Sequence, residues 1–187
     1  ADLLPDQDPT TNLIPPVNTA DRDRADDGIL HMPLKLPHCR PVTFKYQVNK
    51  TTNANVKLYV NVWVDWNRDG DFDDNFTCQT GVSAPEWAVQ DQVLAGLSPG
   101  MNTITTPPFI PWHPVISADA KVPPVWLRIT LAERPWPFGP AGVTPPGFGG
   151  AGPWFGYRIG ETEDYYFTPK PCPCTTCPDL NCDGVVD

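Results

Sequence analysis

The sequence predicts an all-β fold, an antiparallel β-sandwich of Ig-like or jelly-roll-like type with long Pro/Gly-rich loops and extended termini. Three observations carry that expectation. The chain holds 25 prolines in 187 residues, and proline breaks both helix interiors and central strands, so regular elements must be short. Clean alternation of apolar and polar residues recurs in three separate runs, the mark of half-buried strands. No segment shows a convincing helical period, and short strands joined by Gly/Pro turns suit two packed sheets.

In chain order, residues 1–20 are polar and broken by proline and read as an extended arm. Residues 21–168 form the sandwich domain, and residues 169–187 a cysteine-rich tail. The first strand runs through 42–48, with Val42, Phe44, Tyr46 and Val48 inward. The second follows the turn residues 49–55 and places Val56, Leu58, Val60, Val62 and Val64 inward, with Lys57, Tyr59, Asn61 and Trp63 outward; the two are expected to pair as a hairpin. A third run, VWLRITL, turns Val125, Leu127, Ile129 and Leu131 one way and Trp126, Arg128 and Thr130 the other. Weaker strands are expected at 87–94, 101–106 and 164–168. Residues 132–156 form a long loop rich in proline, glycine and aromatics, a length usual for functional or disordered loops.

The net charge of −9 comes with scattered Lys and Arg, which argues against a nucleic-acid partner. No stretch reaches the ~20 apolar residues of a membrane span, so membrane insertion is not expected, and a start at Ala1 fits cleavage after a signal peptide. The six cysteines Cys39, Cys78, Cys172, Cys174, Cys177 and Cys182 favour disulfides and a secreted protein at a cell surface or in a matrix. A zinc cluster in the last four is the rival, although the usual pair of C-x2-C motifs is missing. Two sequons, at Asn49 and Asn75, bear on glycosylation.

The densest chemistry lies in DWNRDGDFDD. Asp65, Asn67 and Asp69 place oxygens at every second position, followed by Gly70, Asp71, Asp73 and Asp74. Alternate oxygens curled around a glycine turn are what a calcium ion requires, and a bound Ca2+ would convert the carboxylate repulsion into attraction. The twelfth position, a bidentate Glu in an EF-hand, is Phe76. The alternative is a solvated acidic turn. No metal-hydrolase, nucleophile-elbow or phosphate-loop motif is present, and His31, His38 and His113 stand in no catalytic spacing, so no enzymatic activity is expected.

DDG at 26–28, WVDWNRDGDFDD, a strand carrying Arg128 and then GETEDY at 160–165 occur in the order that resembles the GEVED domain of secreted bacterial proteins, named for the motif standing here as GETED. The resemblance implies a β-sandwich module of large secreted or surface proteins, without known catalysis. This chain departs from it in the insertion at 132–156 and in lacking the acidic residue that often follows the acidic loop. On the resemblance, Asp65, Asn67, Asp69 and Asp71 carry the metal loop, and Asp73, Asp74, Asp27 and Glu163 are candidates to complete it. The terminal DLNCDGVVD resembles part of a dockerin-type calcium loop, with Asp179, Asn181, Asp183 and Asp187 as its ligands.

Two functions are open at this point. One is a calcium-stabilised structural module that assembles with copies of itself or with adjacent domains in an extracellular fibre or surface matrix. The other is a glycan- or surface-binding module of a larger secreted enzyme or adhesin, using Trp112, Trp136, Phe148 and Trp154; core and loop packing is the plainer role for these aromatics. Arg128, opposite an apolar face, is expected to pair with Glu161, Glu163 or Asp164.

Overall fold

A computed structural model describes residues 28–51, 55–114, 123–135 and 160–169. Among the described residues there are eight strands: β1 Lys45–Lys50, β2 Leu58–Val64, β3 Asn75–Thr77, β4 Ser83–Pro85, β5 Trp87–Leu94, β6 Gly100–Thr105, β7 Val125–Ala132 and β8 Gly160–Phe167. All pairings are antiparallel, and no helix occurs among the described residues. One sheet has the order β5-β2-β7-β8, a second pairs β1 with β6, and β3 with β4 makes a small separate hairpin.

The core lies between the first two sheets. Phe44, Tyr46 and Val48 share one buried cluster with Val60, Val62, Val64, Val125, Leu127 and Ile129, as the alternating pattern requires. Flanking segments extend the smaller sheet through isolated bridges, Ile29 to Tyr46 and Val42 to Phe109. The antiparallel sandwich expected from the alternation is the observed architecture.

Three expectations are corrected. β1 and β2 do not form a hairpin: β1 pairs with β6, while β2 lies between β5 and β7. Alternation states which face of a strand is buried and not which strand lies beside it. Here the two apolar faces meet across the core instead of lying side by side. The outward residues of β2 are also not solvated, since Asn61 and Trp63 are each 1% exposed. A second aromatic cluster of Trp63, Phe72, Trp87 and Trp126 covers that face, with Trp63 and Trp87 stacked at 5.9 Å. Asn61 is satisfied there: its Oδ1 accepts from Trp87 Nε1 at 2.8 Å and from the Asp91 amide at 2.8 Å. Finally, the GETED residues do not precede the last strand but are its first half.

Cys39 and Cys78 form a disulfide with Cα atoms 5.7 Å apart. The other four cysteines, the dockerin-like tail with Asp179, Asn181, Asp183 and Asp187, and also Asp27, Trp136, Phe148 and Trp154, lie outside the described residues.

Candidate metal site

The acidic loop begins where β2 ends, and the side chains of Asp65, Asn67, Asp69 and Asp71 fold onto the backbone ahead of them. Asp65 is buried, its carboxylate accepting from the Arg68 amide at 2.6 Å and the Gly70 amide at 3.3 Å. Asn67 Oδ1 accepts from the Asp69 amide at 3.1 Å, Asp69 from the Asp71 amide at 3.3 Å, and Asp71 from the Asp73 amide at 3.1 Å. Side chains of Asp and Asn make such local bonds readily, and the chain reverses through positive φ at Arg68 (67°) and Gly70 (99°). The loop is pinned inward by Phe72, 3% exposed, which joins the aromatic cluster on the outer face of the large sheet.

With Phe72 inside, the carboxylates of Asp69, Asp71 and Asp74 are left together at the surface, with one oxygen of each within 4.8 Å of the others. The Asn67 amide nitrogen reaches Asp69 and Asp74, both at 2.6 Å. A donor wedged between two carboxylates marks where positive charge is favoured. The donor set is entirely hard oxygen, suited to Ca2+ or Mg2+ and unsuited to soft metals. The chemistry of the donor set is compatible with a calcium ion, which Asp69, Asp71 and Asp74 would hold through their carboxylates. The electrostatics agree: burial, then the neighbouring Asp69 and Asp71, raises the Asp74 carboxyl, and the hydrogen-bonding Asp71 side chain leads in pushing Asp73 up to about 6.

Of the remaining predicted ligands, Asp65 faces inward as a cap, and burial pushes its carboxyl up to about 6. Glu163 is not part of the loop. It stands in β8 opposite Ile129, lines a cavity with Gly28, Tyr46 and Val60, and accepts the Tyr165 hydroxyl. Tyr165 in turn accepts the Ile29 amide at 3.1 Å, so this glutamate helps fasten residues 28–30 to the last strand. Trp112 is half-buried, with one face stacked on Phe76 at 4.1 Å, which is a packing arrangement.

The decisive residue that sequence reasoning missed is Glu86. It is fully buried, one carboxylate oxygen accepting the Trp66 amide at 2.8 Å and the other the Asp74 amide at 3.2 Å, so it ties both ends of the acidic loop together. Burial pushes its carboxyl up to about 9. The β3–β4 hairpin stands between Asp74 and Glu86 in the chain, so their proximity is not apparent from sequence spacing. The Glu86 amide donates to Asp74 O at 2.9 Å and closes the base of that hairpin.

Arg68, on the loop's inner side, donates to Trp66 O and contacts His113 Nδ1 at 3.0 Å, while His113 Nε2 lies 2.8 Å from Leu36 O. Burial, ahead of the Arg68 charge, pushes the His113 imidazole down to about 4. A neutral ring that donates from Nε2 and accepts at Nδ1 fits both contacts. On the outer face of the large sheet Arg128, 1% exposed, pairs with Asp164 through Nε at 2.6 Å and an NH2 at 2.5 Å, and its guanidinium lies 5.8 Å from the Phe72 ring centroid. The pairing expected for Arg128 is therefore present, with Asp164 as the partner. It also links the GETED motif to the acidic loop through Phe72.

The family model of the GEVED domain matches residues 59–168, from β2 to just past β8. The chain belongs to the GEVED domain family. The matched span holds every strand of the large sheet, the acidic loop, Glu86 and the GETED strand, while β1 precedes it. No curated protein and no solved structure matches the chain. In this GEVED domain the motif's last acidic residue, Asp164, holds Arg128, and its middle one, Glu163, holds Tyr165.

Proposed function

We propose that the chain is a calcium-stabilised structural module of an extracellular fibre or surface matrix, packing with copies of itself or with neighbouring domains. The observation that carries the reading is the surface triad of Asp69, Asp71 and Asp74, converging within 4.8 Å on a loop locked from beneath by Phe72, Asp65 and Glu86. A scaffold that holds carboxylates together stores repulsion, and a divalent cation relieves it. Membership of a module family supports a role in a larger assembly, and the six cysteines support an extracellular setting. The alternative, a glycan- or surface-binding module, draws no support from Trp112, whose ring is stacked against Phe76. Thermal unfolding under non-reducing conditions, with calcium and then with chelator, tests the cation. A cation bound only by the folded state adds about 2.7 kcal/mol at a hundredfold excess over its Kd, and an unchanged Tm refutes the site. Sedimentation and negative-stain microscopy in the same two conditions test assembly, where monomers throughout refute it, and retention on insoluble polysaccharide would favour the alternative.

A further inference from the structure

We propose that the Cys39–Cys78 disulfide is a redox-sensitive latch on the β3–β4 hairpin: its reduction frees the distal half of the hairpin and uncovers the Phe76–Trp112 pair, while the two-sheet core stays folded. The proposal does not depend on the cation reading.

The hairpin is small and pairs only with itself among the described strands, through three residue pairs from Asn75–Pro85 to Thr77–Ser83. A two-stranded hairpin standing alone is marginal in water. Its base is well held, by the Glu86 amide on Asp74 O, the Glu86 carboxylate and the Trp66 indole on Pro85 O at 3.0 Å. The tip is not held in that way. Its turn closes on itself, with the Cys78 amide on Val82 O at 2.9 Å and the Gly81 amide on Cys78 O at 2.8 Å, and Val82 is 44% exposed. Beyond the apolar packing of Phe76 against the core and the buried Ala84, the described contacts that join this half to the rest of the domain are the disulfide and the stack of Phe76 on Trp112, 4.1 Å apart and 12° from parallel.

The Cys39 side is anchored without the disulfide. The Cys39 amide donates to Pro111 O at 2.7 Å, the His113 amide to His38 Nδ1 at 3.0 Å, and the His113 ring holds Leu36 O. Opening the bond therefore loosens the hairpin and leaves residues 36–40 in place. Cys39 is the partly exposed half of the bridge and Cys78 the buried one. A small dithiol attacks as thiolate at the Cys39 sulfur, expelling the Cys78 thiolate. The second thiol of the reagent then attacks the mixed disulfide. Two protein thiols and one cyclic disulfide result, the dithiol supplying both electrons and both protons.

The test is amide hydrogen exchange read by mass spectrometry on the full chain, comparing the parent with Cys39→Ser/Cys78→Ser, neither reduced. Exchange at 76–84 is expected to accelerate at least tenfold, with Val62, Leu127 and Tyr165 as protected as in the parent. As a second route, the parent is treated with dithiothreitol, and alkylation mapping confirms that Cys39 and Cys78 have opened; the same local pattern is expected. Unchanged exchange at 76–84 after confirmed opening would overturn the proposal. So would loss of protection in β2, β7 and β8 by both routes, which would make the bond a staple of the whole domain.

Discussion

Replacing Asp164 with Ala leaves the Arg128 guanidinium, 1% exposed, without its carboxylate. Removing one partner of a buried ion pair costs about 3–5 kcal/mol, because the remaining charge loses that carboxylate in a site with little access to water. Replacing both partners with apolar residues of similar volume is close to neutral in comparable sites. The Phe72 contact subtracts from that gain, since a desolvated cation over an aromatic ring contributes about 0.5–2 kcal/mol. Asp164→Ala is therefore expected to lose about 3–5 kcal/mol, Arg128→Met somewhat less because Asp164 is 13% exposed and partly hydrated, and Arg128→Met/Asp164→Leu no more than about 2 kcal/mol. The assay is urea unfolding followed by tryptophan fluorescence, with coupling energy taken from the double-mutant cycle. For a domain of this size the single-variant loss corresponds to a fall in Tm of roughly 10–20 °C. A coupling energy below about 0.5 kcal/mol, or an Arg128→Ala variant melting with the parent, would refute the account.

Further outcomes follow from the acidic loop and its surroundings. Asp69→Asn and Asp74→Asn remove repulsion, so each is expected to raise Tm in chelator while abolishing the increment from calcium; a variant that keeps that increment would place the ion elsewhere. In chelator, stability is expected to fall as pH rises from about 4.5 to about 9. Folding raises the Glu86 carboxyl from its ordinary value of 4.5 to about 9, so in that window the folded state holds a proton that the unfolded state has released. Asp65, raised to about 6, adds to the lower part of the window. Denaturant titrations at stepped pH would show this slope, and Glu86→Gln should flatten it while losing about 1–3 kcal/mol, because one amide loses its acceptor. Gly28→Ala places a Cβ 2.6 Å from Glu163 Oε2 and is expected to cost about 1–3 kcal/mol, read as a lower urea midpoint. An unchanged midpoint would show that Glu163 moves freely away from Tyr165.

The strands were legible because a period of two is a local property: Tyr46, Val48, Val60, Val62, Leu127 and Ile129 all face the core as their alternation indicates. Strand neighbours were not legible, since the β1–β2 link, residues 51–57, is longer than the two-residue loops that fix a hairpin, and each strand found its partners elsewhere. The burial of Trp63, Arg128 and Thr130 was hidden for a related reason. The groups that cover that face, Phe72 and Trp87, come from a loop and from another strand. Arg128 and Asp164 were foreseeable as partners because one is a cation in a strand and the other belongs to an acidic motif at the next strand. Six cysteines allow fifteen complete pairings, so the bridge between Cys39 and Cys78 needed the fold.

Glu86 explains how an acidic loop without an EF-hand's closing glutamate keeps its shape. In an EF-hand the last ligand joins the loop's end to its ion; here Phe76 occupies that position and stacks on Trp112 instead. The mechanical part of that task passes to Glu86, which holds the Trp66 and Asp74 amides from the interior. Both of its oxygens are engaged by backbone, so it shapes the site without being available to face solvent. The carboxylates thus divide by role: Asp65 and Glu86 spend their oxygens on amides beneath the loop, and Asp69, Asp71 and Asp74 keep theirs at the surface. Burial raises these two carboxyl groups to about 6 and about 9, and in return they satisfy the Arg68, Gly70, Trp66 and Asp74 amides. The cost of burying them is intelligible if the exposed triad must hold one spacing, as a cation of fixed size demands.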